Sequence, residues 1–313
     1  MFPTSIHSSP PLTAGVGVLL LLAFASALVF LLKPRLSEKE YSELKARIAT
    51  WWRMSIIFLL AILLVRSVSI AFFALLSFLA LKEYVSLIPT RRSDRRVLLW
   101  AYLAIPLQYF WVWYEWYGMF IIFIPVYMFL FLPVRMVLVG DTAGFLRAAG
   151  TLHWGLMTTV FSLSHVAFLL VLPADEAMTA GAGLVLFLVI LTEMSDVMQF
   201  VWGKTLGKHK ILPLVSPNKT WEGFLGGVVS TILLALLLGP YLTPLSLLHS
   251  AVAGCIIAFA GFAGDVTVSA LKRDLKIKDT GSALPGHGGI LDRVDSLTYT
   301  APLFFHFVHY FYY

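Results

Sequence analysis

Asp265, Ser269 and Lys272 stand four and then three residues apart near the end of an apolar run. If that run continues as a helix, the three share one face and present an acid, a hydroxyl and a base together. The segment goes on as DVTVSALKRDLKIKDTGSALPGHGGILDRVD from Asp265 to Asp295, the densest cluster of charge in the chain, set between two apolar runs. Lys278 and Asp279 are followed by Pro285, Gly286, His287, Gly288 and Gly289, where side chains shrink and backbone N–H groups can turn toward an anion such as phosphate. Asp292, Arg293 and Asp295 open the last apolar segment, with the two acids three residues apart. Carboxylates beside a phosphate site would repel the ligand unless a divalent cation lay between them. The chemistry these residues fit is that of a metal nucleotide held at a membrane boundary.

The pattern Ser269, Lys272, Arg273, Lys278, Asp279, Pro285, Gly286, His287, Gly288, Gly289, Asp292, Arg293, Asp295 resembles the motif of the phosphatidate cytidylyltransferases (CDP-diacylglycerol synthases), with each fixed position filled at that family's spacing. A second block, GKTLGKHKILPLVSPNKTWEGFLGG from Gly203 to Gly227, is similar to the same family. Together the blocks tie the C-terminal half of the chain to it, whereas the N-terminal third shares only a hydropathy pattern. The family carries an acid at the position of Asp196. Gln199 and Phe200 depart from the pattern, standing where Ala and Tyr are common.

Composition sets the class. With 59% hydrophobic and 13% charged residues over 313 positions, the chain is too apolar for a soluble globule and reads as an all-α polytopic integral membrane protein. The net charge of +6 comes from bases clustered between apolar runs, which act as topology determinants and phosphate contacts rather than as a nucleic-acid surface. One cysteine, Cys255, excludes an intrachain disulfide and a Cys-based metal site.

From the N-terminus, residues 12–32 are long enough to span, and the segment before them carries no Lys or Arg, which suits an anchor helix. Residues 37–54 alternate charges and end in Trp51 and Trp52, the pattern of a helix on the membrane surface or of a solvated connector. These make the first unit, 1–54. Within 56–81, bases flank both sides, so the positive-inside rule places both flanks in the cytoplasm and requires two short crossings of roughly 13 residues with Arg66 at the outer turn. A single span there would make nine crossings in all instead of about ten. Residues 97–114 and 117–132 form a hairpin around Trp113, Tyr114, Glu115, Trp116 and Tyr117, within a second unit of membrane helices, 55–150. His153 and His165 read as packing residues, and Asp141 as a solvated loop acid.

The third unit, 151–313, holds the catalytic helices. Glu193 and Asp196 are intramembrane acids and functional candidates by default. The loop from Trp202 to Trp221 supplies Lys204, Lys208, His209, Lys210 and Lys219. Gly203, Lys204 and Thr205 mimic the tail of a P-loop, but Met198 occupies the required glycine position and no strand precedes it, so that reading fails. Gly223 and Gly227 suit close helix packing.

The resemblance implies cytidylyl transfer from CTP to phosphatidate, with pyrophosphate released, at the cytoplasmic face. It implies Mg²⁺ on Asp265 and Asp292, with Asp196 or Asp295 serving an outer shell or a second cation. Lys219, Lys272, Arg273 and Arg293 would neutralise the phosphates, Gly286 to Gly289 would donate N–H groups, and His287 would meet a phosphate oxygen or fix the loop. Lys204, Lys208, Ser269, Lys278 and Asp279 complete the substrate-binding set. Implied partners are CTP, phosphatidate and membrane lipids, without nucleic acid and with room for a homodimer. Two rivals remain at this stage: a CTP-dependent transferase acting on another lipid phosphate or a polyprenol, and a transporter using Glu193 and Asp196 as coupling sites.

Overall fold

The computed structural model describes residues 9–35, 37–91, 94–172, 178–283 and 288–313. It is almost wholly helical. Among the described residues eight helices are long and apolar enough to cross a membrane: Pro10–Arg35, Glu38–Leu63, Arg66–Leu87, Tyr117–Val137, Phe145–Leu169, Gly181–Leu206, Trp221–Leu242 and Leu247–Asp274. Two further helices, α4 (Arg95–Trp113) and α13 (Leu297–Tyr312), complete the antiparallel succession but are shorter, at 19 and 16 residues, and α4 begins on two arginines. Exposed side chains such as Leu20, Leu31, Leu233 and Leu237 form the outward faces, an arrangement that lipid tolerates and water does not.

The N-terminal region differs from the sequence reading in one respect. Residues 37–54 are not a separate surface helix; Ser37 caps α2 (Glu38–Leu63) and the rest form its N-terminal two thirds. A reciprocal capping box starts it: the Ser37 hydroxyl accepts from Glu40 N–H, and the Glu40 carboxylate accepts from Ser37 N–H at 3.0 Å. The chain then reverses at Leu64–Val65, and α3 (Arg66–Leu87) follows. Residues 56–81 fall on two helices with a reversal between them, in line with the two crossings expected, but unevenly, 56–63 ending α2 and 66–81 opening α3, and the full helices run to 26 and 22 residues. At 1.5 Å per residue these lengths are about 39 and 33 Å, against a hydrocarbon core of ~30 Å.

Polar contacts at the helix ends fix relative sidedness. Arg66 pairs with Glu115 and donates to the Trp113 carbonyl, so the α2–α3 and α4–α5 turns (α5, Tyr117–Ile122) lie at one end of the bundle. Ser246 N–H and His249 meet the Tyr312 hydroxyl, joining the α10–α11 turn to the C-terminus; α10 is Trp221–Leu242 and α11 Leu247–Asp274. At the functional end Arg91 holds the carbonyls of Asp141 and Ala143 at 3.0 and 2.6 Å.

The core is aromatic and helical. α8 (Ser162–Leu169) carries His165, fully buried against Phe120, Phe161 and Phe305, with Nδ1 2.8 Å from the Phe161 carbonyl. His153 lies against the Phe129 ring. Both are packing residues. Two π-helical segments, Phe123–Met128 and Met157–Phe161, relax the helices around this cluster; the first contains Pro125, which cannot donate to the helical ladder.

Behind the site, α9 (Met178–Leu206) packs closely on α10. A Cβ at Gly223 would meet the Gln199 carbonyl oxygen at 2.7 Å and Gly203 Cα at 2.9 Å, and one at Gly227 would strike Gln199 itself. The glycine pair is therefore a packing device. Between α9 and α10 the chain forms a small antiparallel hairpin, β1 (Lys210–Leu212) and β2 (Ser216–Thr220), where an irregular loop was expected. Thr220 ends it by accepting from Gly223 N–H at 3.1 Å, which caps α10.

Candidate active site

α9, α11 and the segment preceding α13 enclose a cavity of about 930 Å³ at the same end as the hairpin. Asp196 and Glu193 reach it from α9, Asp265 from α11, Lys219 from β2, and Lys278, Asp279, Asp292, Arg293 and Asp295 from the chain between α11 and α13. α2 closes the remaining side with Arg47 and Trp51. The expected face of α11 forms: Ser269 Oγ lies 3.5 Å from Asp265 Oδ1, and Lys272 follows one turn on.

Two lysine–aspartate pairs brace the site, the first joining the two sequence blocks and the second lying within the later one. Lys219 Nζ is 2.7 Å from Asp265 Oδ2, and the same ammonium donates to Gln199 Oε1 at 3.1 Å and lies over the Phe262 ring. Lys272 Nζ donates to Asp292 Oδ1 at 2.9 Å. Both pairs are largely sheltered, with side chains between 5% and 22% exposed, so each charge depends on its partner for compensation.

Asp292 is saturated. Besides Lys272, its Oδ2 accepts from Thr280 N–H at 2.8 Å, Thr280 Oγ1 at 2.9 Å and Gly289 N–H at 3.0 Å. Burial opposes its charge, yet the bonds from Gly289 N–H, Lys272 and Thr280 N–H outweigh burial and hold the carboxyl below the usual range. Gly288 makes room for it: its φ is +80°, and a Cβ there would lie 2.6 Å from Asp292 Oδ2.

A second carboxylate does the same from a distant helix. Glu83, near the end of α3, accepts from Ile290 N–H at 2.8 Å, from Leu291 N–H at 3.0 Å and from the Thr280 hydroxyl. Backbone donors on both sides of the glycine-rich stretch thus already serve carboxylates.

Asp196, Asp265 and Asp295 form the other acidic group. Asp196 Oδ2 accepts from Ser296 Oγ at 2.8 Å, while its Oδ1 is buried without a partner among the described residues. Burial pushes the Asp295 carboxyl well above the ordinary range, and the negative charges of Asp265 and Asp196 push it further. Among the described residues no three His, Cys, Asp or Glu side chains converge closely enough to hold a metal ion by themselves. The donor set is nonetheless hard carboxylate oxygen with one acceptor left over, which suits a Mg²⁺ ion that takes one or two carboxylates and fills its remaining positions with water and substrate phosphate.

The cavity therefore has paired acids and bases from two separate sequence blocks at one end of a membrane bundle. Residues 45–311 match the model of the cytidylyltransferase family. The chain belongs to that family. An uncharacterized Escherichia coli (strain K12) protein, YnbB, is 48% identical over 276 residues, covering 88% of this chain and 91% of its own. A phosphatidate cytidylyltransferase of Staphylococcus epidermidis is 34% identical over 154 residues, 48% of this chain and 59% of its own. Phosphatidate cytidylyltransferase 4, chloroplastic, of Arabidopsis thaliana is 46% identical over 115 residues, 36% of this chain and 29% of its own. The protein is a nucleotidyltransferase enzyme.

Most of the residues expected from the cytidylyltransferase pattern converge. Lys219, Lys278, Asp279, Gly288, Asp196, Asp265, Asp292, Arg293 and Asp295 line the cavity, and Lys272 and Gly289 touch it through Asp292. Arg273 does not join them: its Nε donates to the Val215 carbonyl at 3.1 Å, so it braces the hairpin against α11. Lys204 lies over the Phe200 ring on the exposed end of α9, and Lys208 is exposed, its backbone N–H bonded to Glu222. Neither lysine lines the cavity. Gly286 and His287 lie outside the described residues. Asp141 accepts from Ala143 N–H in its own loop and takes no part in the lining.

Glu83 and Arg47 were not singled out by sequence, and Trp51 was noted as an interfacial aromatic rather than as a site residue. Glu83 had one available signal, since an acid near a helix C-terminus opposes the helix dipole and asks for a reason.

Proposed function

We propose that this enzyme transfers the cytidylyl group of CTP to phosphatidate, forming CDP-diacylglycerol and pyrophosphate. The observation that carries the reading is the convergence of Lys219–Asp265 and Lys272–Asp292, from two blocks similar to phosphatidate cytidylyltransferases, on one cavity at a bundle end. The reaction joins two polyanions. A lipid phosphate oxygen attacks the nucleotide α-phosphorus, the new P–O bond forms, and the bond to the β-phosphate breaks with its electrons going to pyrophosphate. The lipid phosphate is already ionised near neutral pH, so the main requirement is charge neutralisation and in-line placement.

Lys219, Lys278 and Arg293 are the bases that face the cavity from its inner walls, and they would hold the triphosphate. Arg47 and Trp51 on α2 would meet the lipid headgroup, a cation beside an aromatic ring being suited to the membrane interface. Asp265, Asp196 and Asp295 would hold Mg²⁺; when bound, the ion neutralises phosphate charge and orients the nucleotide. A second cation could share the same acids. Asp292, with its acceptors filled, keeps Lys272 and the chain before α13 in place.

Positive charge at the junction between α1 (Pro10–Leu32) and α2, and at the α3–α4 and α9–α10 junctions, supports a cytoplasmic site. Leu214, 92% exposed at the hairpin tip, allows a test. A Leu214→Cys protein should react with a membrane-impermeant maleimide in inside-out vesicles and stay protected in right-side-out ones.

One observation favours a second lipid acceptor. Gln199, a departure from the family pattern, holds Lys219, and Phe200 lines the cavity. A different lipid phosphate could therefore replace phosphatidate. Purified enzyme given CTP labelled at the α- or the γ-phosphate, with a panel of lipid phosphates and polyprenols, separates the cases. α-Label in the lipid fraction with phosphatidate supports the proposal, and γ-label in a polyprenol would replace it with kinase chemistry.

A further inference from the structure

We infer that Glu83 is a positioning residue for the active site, through which a helix of the N-terminal half sets the geometry of the catalytic segment between α11 and α13. Its carboxylate takes donors from both sides of the glycine-rich stretch: the Thr280 hydroxyl on one, and Ile290 and Leu291 N–H at 2.8 and 3.0 Å on the other. Thr280 N–H and Gly289 N–H hold Asp292, and the Thr280 hydroxyl, with one proton to give, lies between the two carboxylates, so each helps fix the other's place. Asp292 then holds Lys272, and Arg293 and Asp295 follow it into the cavity.

The glycines beside Glu83 answer to it. A Cβ on Gly281 would come within 2.9 Å of Glu83 Oε2 and 3.1 Å of its Cδ, with Gly289 Cα next at 3.4 Å. A Cβ on Gly289 would strike Glu83 Oε1 and Thr280 Oγ1. These two small residues therefore admit a carboxylate of the protein itself, a different use from the close approach of a substrate phosphate. Removing Glu83 would leave two part-buried N–H groups without an acceptor, and such groups weigh more than the mean worth of a hydrogen bond.

The activity readout rests on the cytidylyl-transfer reading; the exchange readout does not. Glu83→Gln keeps the shape but sets an amide N–H₂ against at least one of the three donors. It should lower kcat about tenfold, the effect of losing one charge-assisted hydrogen bond, while KM for CTP changes less and the melting temperature in detergent is held. In hydrogen exchange of the intact protein, the peptide covering Ile290 and Leu291 should lose protection in this variant while α8 keeps its own. Glu83→Ala should be more severe. Gly281→Ala should lower kcat in the wild-type background but change it less than about twofold in the Glu83→Ala background, because the obstructing carboxylate is gone. If Glu83→Ala does not fold, the Gln variant decides alone. Wild-type kcat together with unchanged exchange at Ile290 and Leu291 in Glu83→Gln would overturn the inference. Wild-type protein without cytidylyl transfer would overturn the proposed reaction and leave the exchange result to decide the role of Glu83.

Discussion

Asp265 and Asp292 look alike in sequence and should respond differently to the same substitution. In Asp292→Asn, the side chain can keep its oxygen toward Thr280 N–H, Thr280 Oγ1 and Gly289 N–H, which turns its N–H₂ toward Lys272 Nζ, now 2.9 Å from Asp292 Oδ1. One charge-assisted bond becomes a donor–donor contact, and an ammonium only 17% exposed loses its counter-ion. Loss of a hydrogen bond to a charged group costs about 1.5–3 kcal/mol, and breaking a buried ion pair reaches about 3–5 kcal/mol. The retained bonds place this change near 2–3 kcal/mol, or about a 30- to 150-fold fall in kcat/KM if it is felt fully in the transition state. It should come with a lower melting temperature and an unchanged Mg²⁺ requirement. Asp265→Asn, by contrast, should raise the Mg²⁺ concentration for half-maximal rate by about tenfold or more, since a neutral amide is a poor ligand for a hard cation. The assay is CDP-lipid formation in detergent across a Mg²⁺ titration, paired with thermal unfolding of each variant. A shifted Mg²⁺ requirement in Asp292→Asn at wild-type stability, with none in Asp265→Asn, would refute this division of roles.

Other expectations follow from the same geometry. Lys204→Ala and Lys208→Ala, which alter side chains outside the cavity lining, should leave KM for CTP within about threefold of wild type, the scale of surface changes. Lys219→Met should lose at least about 100-fold in kcat/KM, because it strands Asp265 and removes a cavity cation together. Gly264→Ala should lower activity: its Cβ would lie 2.5 Å from the Asp295 carbonyl oxygen and 3.0 Å from Ser296 Cα, so the segment carrying Asp295 must move off α11. Steady-state kinetics on the purified variants check all three.

Much of the architecture was legible because it rests on local rules. Apolar length gave the spans, and charge balance required two passes within 56–81, which the reversal at Leu64–Val65 provides. The same rules missed that Ser37–Met54 continues into the membrane, since an amphipathic start and an apolar end can belong to one helix. Motif spacing brought Lys219, Asp265, Asp292 and Arg293 to one site. It could not separate a saturated acid from an open one, because the donors to Asp292 come from Lys272, Thr280 and Gly289 and are set by tertiary approach. Arg273 shows the same limit: its type suits phosphate, but the hairpin carbonyl of Val215 lies within its reach. Arg47 was one base among several on an amphipathic stretch, and the signal at Glu83, an acid near a helix C-terminus, named no partner.

The most direct test of the account is the mass of the lipid made by purified enzyme from CTP and phosphatidate in the presence of Mg²⁺. The account predicts a lipid heavier by one cytidylyl group, released together with an equal amount of pyrophosphate. Unchanged phosphatidate, where another lipid phosphate offered in its place acquires the cytidylyl group and yields the pyrophosphate, would contradict it.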